Sequence, residues 1–323
     1  MERREKTVLI AGGAGSIGSA LAERLVSDSP ENLILLDKDE NQLETIRMKI
    51  EEKGFQTIAY VCDARNLSHL NKIFERHRPD IILNCCAHKH VVSGERNVAE
   101  TTHNNLLTTL NLLKVRHLNP RSKFVQISTD KAVEPSSVMG ASKMLCESMV
   151  REQYPRCEGQ NYIIRFGNVM NTNGSVLQIW DRQFREGVSL TVTDLKMKRW
   201  LMPISDACDQ ILRVLGFDAG TYLLDMGEMH TVADILEMFL AERTSEPESI
   251  PLNFIGAKLG EKLEEELFWS CEAQEQIRAG QKTMMRVSNS PSFDYWKALT
   301  VSNTFDDQIT LRCLSKMFVG LKA

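Results

Sequence analysis

Between Ser128 and Lys143 the chain reads STDKAVEPSSVMGASK, and Ser128, Thr129, Asp130 and Lys131 put two hydroxyls, a carboxylate and an amine side by side. Such a set offers hydrogen bonding, a general acid and a general base. The apolar run Lys123–Ile127 ahead of it reads as a buried strand, and open α/β sheets bind ligands at the carboxyl ends of their strands. A polar turn leading into a helix would use the same residue types, so the stretch takes its meaning from the rest of the chain. Downstream, Met139 and Lys143 are four residues apart on a helix-patterned segment and face the same way.

A second motif opens the chain: VLIAGGAGSIGSALAERL places Gly12, Gly15 and Gly18 directly after a strand-like run and at the start of a helix. Glycine there allows a tight turn, close backbone approach to a pyrophosphate and close helix packing, and the helix N-terminus receives the phosphates. Asp37 ends the next strand-like run, about 20 residues beyond the last glycine, where a carboxylate accepts hydrogen bonds from an adenosine ribose. It would repel a 2′-phosphate, which favours NAD over NADP; the neighbouring Lys38 works against that preference. Asp63, after the third strand, is either an adenine contact or a strand-end cap.

The elements that must position these groups alternate. Strand-like runs are Thr7–Ala11, Asn32–Asp37, Thr57–Cys62, Ile81–Cys86 and Lys123–Ile127, with helical patterns over 16–27, 41–53, 67–76 and about 95–117. This order predicts an α/β fold, a doubly wound parallel sheet of Rossmann type with helices on both faces. Tyr162–Phe166 and Tyr222–Asp225 would extend the sheet. The expected division is a dinucleotide-binding domain over 1–168, rejoined by 204–226, and a smaller substrate lobe from 169–203 and 227–323. The stretch from Thr283 onward carries no readable pattern.

The composition is that of an ordinary globular protein: 323 residues, 42% hydrophobic and 25% charged. A net charge of −4 argues against a general nucleic-acid binder but not against an anionic small molecule. The charged N-terminus runs straight into a strand, and no apolar run approaches a membrane span, so a cytoplasmic protein is expected. The eight cysteines have no paired metal spacing and read as reduced, partly buried thiols. No metal is expected.

The glycine spacing resembles that of the extended short-chain dehydrogenases/reductases, in which a Tyr-x-x-x-Lys pair lies beside the nicotinamide. Met139 and Lys143 occupy that spacing here, so the phenol is lost while the lysine is retained as a ribose ligand. STDKAVEPSSVMGASK in turn resembles the signature of the CapD-like nucleotide-sugar 4,6-dehydratases of polysaccharide biosynthesis. The likeness continues in order through AHKHVVSGE (87–95), NNLLTTLNLL (104–113), RFGNVMNTNGSV (165–176), TDLKMKRWLMPISDA (193–207), DMGE (225–228) and GAKLGEKLEEEL (256–267).

The resemblance implies a tightly held NAD, regenerated each cycle, and a UDP-sugar substrate. It casts Lys131 as the base at C5, Asp130 as the acid at the C6 oxygen and Thr129 as a hydrogen-bond partner of the C4 hydroxyl, leaving the acceptor of the O4 proton open with Asp130 as first candidate. It carries cofactor contacts onto Gly12, Gly15, Ser16, Ile17, Gly18, Asp37, Lys38, Asp63, Ala64, Ala87, Lys89, Asn105 and Lys143. Substrate contacts fall on Lys89, Asn168, Ser175, Arg199, Lys258 and Glu261, with Arg199 the expected phosphate ligand. Asn105 would equally suit buried helix packing. Methionine at 139 resembles the enzymes that retain configuration at C5, so the expected substrate is UDP-N-acetylglucosamine and the expected product UDP-2-acetamido-2,6-dideoxy-α-D-xylo-hexos-4-ulose.

The chain departs from the pattern at Lys258, Leu259 and Asn173, and it lacks a proline after KHV; these changes bear on the diphosphate contacts and the sugar preference. The competing expectations are a C5-inverting dehydratase, a UDP-N-acetylhexosamine 4-epimerase, and a non-catalytic NAD-binding scaffold. By family likeness, the long helices over 95–117 and 137–154 would pair across a homo-oligomer.

Overall fold

The computed structural model describes residues 6–153, 158–170 and 172–321; Cys157 and the end of the helix expected over 137–154 lie outside them. The first half alternates as expected: β1 (Thr7–Ala11), α1 (Ser16–Val26), β2 (Asn32–Asp37), α2 (Glu40–Glu51), β3 (Ile58–Val61), α3 (Leu67–His77) and β4 (Ile81–Asn84). Next come α4 (Val91–Arg96), α5 (Val98–Val115), β5 (Lys123–Ile127), α6 (Val138–Gln153) and β6 (Asn161–Arg165). The single helix expected over 95–117 is therefore two. Asn97 breaks it, leaving helical geometry at φ −138° while its side chain donates to the Ser93 carbonyl.

Beyond β6 the chain leaves the sheet through β7 (Asn168–Val169), α7 (Val176–Arg185), β8 (Leu190–Val192) and β9 (Lys198–Met202), then returns by α8 (Ile204–Val214) and β10 (Gly220–Leu223). A second excursion holds β11 (Met229–Thr231), α9 (Val232–Ala241) and β12 (Leu252–Phe254). The hairpin β13 (Ala273–Ala279) and β14 (Lys282–Ser288) follows, and α10 (Tyr295–Ser302) and α11 (Asp307–Met317) end the described chain.

The main sheet runs β13-β14-β10-β6-β5-β4-β1-β2-β3, parallel from β3 to β10 and antiparallel in the terminal hairpin. Both faces are covered, which is why its central strands read as unbroken apolar runs. In β1, Val8 and Ile10 enter one core while Leu9 and Ala11 enter the other. β1 lies between β2 and β4, so the chain reverses direction across the sheet there, and a crevice opens beyond the strand ends. A third core of Trp180, Leu190, Val192, Ile235, Leu236, Phe239 and Leu240 organises the smaller lobe.

The division expected from sequence is wrong for the C-terminal stretch. β14 pairs with the free edge of β10, burying Met284 and Val287, so 273–288 belongs to the main sheet rather than to the smaller lobe. α10 and α11 pack on α5 and α6; Asp307 accepts the Ala99 amide at 2.7 Å, and the rings of Phe293 and Phe318 meet at a tilt with centroids 4.5 Å apart. Fifteen of the eighteen residues of α5 are thereby buried within one chain, so the face proposed to pair across an oligomer is already covered. Among the described residues no helix is long and apolar enough to cross a membrane.

A buried ion network fixes the end of β5. Glu147 of α6 accepts from Ser128 Oγ at 2.6 Å, from Arg165 of β6 at 2.9 and 2.7 Å, and from Arg151 at 3.1 Å. Arg165 also reaches Glu272 at 2.8 Å, which ties the strand to the segment entering β13. Burial alone would raise the Glu147 carboxyl, but the two guanidinium groups and the Ser128 hydroxyl outweigh it and hold it at about 2.

Two outcomes are expected. Glu147→Gln leaves the buried Arg165 and the partly buried Arg151 short of a counter-charge and should cost about 3–5 kcal/mol in denaturant unfolding. The folded value lies below the unfolded one, so the stabilisation is complete above the ordinary 4.5 and is lost as pH falls through about 2; the variant should lack that acid-side slope. Truncation after Pro291 should uncover the apolar face of α5 and α6, giving self-association in sedimentation where the full chain shows less.

Candidate active site

The crevice beyond β1 and β4 is lined by Gly12, Ala14, Gly15, Asp37, Lys38, Asp63, Ala64, Cys85, Cys86, Ala87, His88, Asn104, Thr108 and Asn173, among others. Its floor is bare backbone. Gly12 has φ 79°, and a Cβ there would lie 2.8 Å from the Cys86 nitrogen. A Cβ on Gly18 would lie 2.0 Å from the Gly12 carbonyl oxygen, so α1 meets β1 only because position 18 is glycine. Gly15 leaves the first turn of α1 open toward the crevice. Asp37 stands at the tip of β2 and accepts from the Ala14 and Asp39 amides at 3.0 and 3.1 Å. A helix N-terminus over glycines and a fixed carboxylate at the next strand end are the two halves of a dinucleotide cradle, and these residues fit that group.

Other expected cofactor residues take different places. Asp63 lines the crevice, but its carboxylate is gripped by Arg65 at 2.7 Å, which holds it below the usual carboxylate range; Arg65 also reaches Glu100 at 3.0 Å. Asn105 is fully buried behind the wall. It accepts from the His88 amide at 2.8 Å and donates to the Ser142 hydroxyl at 2.8 Å, so it braces the loop after β4 while Asn104 faces the crevice. Ile17 packs against the core beside β1, away from the crevice. Ser16 Oγ accepts from the Asn173 amide at 2.9 Å, linking α1 to the loop after β7. Lys89 stands exposed just beyond Ala87, its amine drawn below the ordinary lysine value by partial desolvation.

Past the crevice, at the end of β5, the chemistry-bearing cluster assembles. Thr129 Oγ1 donates to Asp130 Oδ1 at 2.8 Å, and Lys131 Nζ donates to the same oxygen at 3.0 Å. Nζ also donates to Asn168 Oδ1 of β7 at 3.1 Å and lies 3.5 Å from Glu265 Oε1. Asp130 is fully buried, and its Oδ2 has no hydrogen-bond partner, an unmet acceptor of the kind found where a ligand completes the set. Burial pulls the Lys131 amine down, but Asp130 and Glu265 outweigh burial and the opposing Arg199, so the ammonium is held above the ordinary lysine value. That reverses the depressed value a resting general base would have.

Lys143 on α6 is buried and donates to the Ile127 carbonyl at 2.8 Å. Burial lowers its amine, while the thiols of Cys85 and Cys86 in the crevice wall and Cys146 favour its charge. It therefore stands between the crevice and the cluster. Met139, one turn earlier, is buried and presents no polar atom.

The expected substrate contacts divide. Asn168 joins the cluster. Ser175 caps the N-terminus of α7 without a side-chain hydrogen bond, and its Oγ is buried without a partner. Arg199 is a strut rather than a presented fork: its guanidinium donates to the Lys198, Lys262 and Leu263 carbonyls at 2.7, 2.9 and 3.3 Å. Lys258 and Glu261 close a tight turn on each other, the Glu261 carboxylate accepting the Lys258 amide at 3.0 Å. Glu265 was missed. It sits in the acidic run 264–266, where Glu264 pairs with Lys198 and Glu266 is exposed, and the run itself does not say which carboxylate turns inward.

Comparison with known proteins agrees with this geometry. The polysaccharide biosynthesis protein family matches residues 8–288. The capsular polysaccharide biosynthesis protein CapD of Staphylococcus aureus is 33% identical over 82% of this chain, which spans 45% of that relative's length. A protein named UDP-glucose 4-epimerase from Rickettsia rickettsii is 30% identical over 83% of this chain and 79% of its own. The structure of Pen from Bacillus thuringiensis superposes with a TM-score of 0.81 at 25% identity, covering 94% of this chain and 99% of that one. With a glycine-lined crevice over a doubly wound sheet and a match running from β1 to the end of β14, the chain belongs to the polysaccharide biosynthesis protein family, as a CapD-like member of the extended short-chain dehydrogenase/reductase superfamily.

Proposed function

We propose that this chain is a nucleotide-sugar 4,6-dehydratase that uses NAD and acts on UDP-N-acetylglucosamine. The observation that carries the reading is the Thr129–Asp130–Lys131 cluster, an acid and a base hydrogen-bonded to each other beside a dinucleotide cradle. Gly12, Gly15, Asp37 and Lys143 would hold the cofactor, which supplies reversible hydride storage when bound. The C5 hydrogen of a hexose is not acidic until C4 is a ketone. Lys131 then takes the proton from C5 and Asp130 gives one to the departing C6 oxygen. Thr129 hydrogen-bonds the group at C4, and the open Oδ2 of Asp130 is the acceptor for the O4 proton, since Met139 supplies none. Asn168 and the N-terminus of α7 at Ser175 would contact the UDP-sugar.

A 4-epimerase is the second reading, favoured by the Rickettsia relative. Epimerisation works at C4 alone and leaves the Asp130–Lys131 pair without a task. Methionine at 139, by likeness to retaining members, selects retention at C5.

The test is incubation of the purified protein with UDP-N-acetylglucosamine, without added cofactor, followed by proton NMR in H2O and in D2O. A 4-keto-6-deoxy product retained and deuterated at C5 is expected. A UDP-N-acetylgalactosamine product would replace this reading by epimerisation. Lys131→Ala should lower turnover by about 10²–10⁴-fold while NAD released on unfolding stays unchanged.

A further inference from the structure

Lys131 enters the site carrying its proton, clamped by Asp130 Oδ1 at 3.0 Å and Glu265 Oε1 at 3.5 Å. An ammonium cannot abstract the C5 proton. On the dehydratase reading, two protons must be held before water leaves: that of O4, released as C4 is oxidised, and that of C5. Asp130 takes the first and returns it to the C6 oxygen, so it is not free to relieve Lys131 as well. One further acceptor is required, and the only other carboxylate against Nζ among the described residues is Glu265.

We propose that Glu265 is the proton acceptor for Lys131, taking the ammonium proton so that a neutral amine meets C5–H. An N–H bond of Lys131 breaks as an O–H bond forms on Glu265. The C5–H bond then breaks as a new N–H forms on Lys131. The C5 electron pair becomes the C5–C6 double bond, and the C6–O pair leaves with the oxygen, which takes the Asp130 proton and departs as water. When C5 is reprotonated from Lys131, Glu265 returns its proton and the three groups regain their resting charges.

The site is built for this exchange. Glu265 is buried, with 3% of its side chain exposed, so its proton does not pass freely to solvent. The segment that carries it is pinned from three sides. Arg199 holds the Lys262 and Leu263 carbonyls, Lys262 Nζ donates to the Val133 carbonyl at 3.1 Å, and Ser136 Oγ donates to the Gly260 carbonyl at 3.1 Å. The charged groups facing Lys131 are Asp130 from its own turn, Glu265 from this segment and Arg199 from β9. Glu265 touches no reacting atom; it is a positioning residue acting through Nζ.

The inference rests on the dehydratase reading and is tested in the full chain with Glu265→Gln and Glu265→Asp. One readout is the pH dependence of Lys131 acylation by acetic anhydride, followed by peptide mass spectrometry without substrate. The other is solvent deuterium entry at C5 and product formation across pH 6–10. In Glu265→Gln, Lys131 should acylate at lower pH, yet C5 exchange at pH 7 should fall by about 10²-fold and recover with alkali. Glu265→Asp should keep most of the exchange. Faster exchange at pH 7 in Glu265→Gln would make Glu265 a mere counter-charge and overturn the proposal, as would exchange unchanged at every pH. A wild-type chain that forms no 4-keto product would instead remove the dehydratase reading, and the relay with it.

Discussion

A carboxylate in the middle of α6, held charged away from water by two guanidinium groups and a hydroxyl, is the constraint on which the site depends. Burying Glu147 is tolerable only while Arg165, Arg151 and Ser128 are all in place, because each missing partner would strand a charge in a low-dielectric interior. Those partners come from β5, β6 and α6, and Glu272 adds the segment leading to the terminal hairpin. The network therefore admits one arrangement of these elements. It fixes Ser128, and through Ser128 the backbone from which Thr129, Asp130 and Lys131 project.

The same physics recurs at Lys131 with the balance left open. One ammonium faces two carboxylates, with Arg199 nearby, so the cluster is not closed in the way the Glu147 network is. Asp130 Oδ2 has no partner although the side chain is fully buried, an arrangement that costs about 1–3 kcal/mol if nothing completes it. Both oxygens of Glu147 are taken, whereas the cluster beside it keeps one buried carboxylate oxygen without a donor. On the proposed chemistry, that difference separates a group that holds the fold from one that exchanges protons.

Residues whose type is forced by backbone geometry were legible in the sequence. Gly12 and Gly18 admit no Cβ, and Asp37 must cap a strand end, so the cradle could be read before any coordinate. The parallel sheet was equally plain, since strands buried on both faces leave unbroken apolar runs. What stayed hidden depends on long-range partners. β13, AQEQIRA, is mostly exposed and carries no apolar pattern; it is a strand because β14 offers it an edge. Arg199 looked like a phosphate fork because composition cannot show that three carbonyls lie within its reach. Glu265 was one glutamate among three, distinguished only by the tertiary contact that turns it inward.

Methionine at position 139 gives the site its logic. A phenol there would be a proton acceptor beside C4, supported by Lys143 one turn away; the buried thioether offers nothing comparable. Lys143 is committed elsewhere, its amine buried and donating to the Ile127 carbonyl at 2.8 Å. On the proposed chemistry, the O4 proton must therefore travel to the end of β5, where Thr129 is bonded to Asp130 and Asp130 keeps one oxygen open. Asp130 then serves two steps in succession, receiving at O4 and donating at C6. An acid so engaged cannot also relieve the lysine beside it, so losing the phenol on α6 creates the need for a carboxylate on a segment more than a hundred residues away.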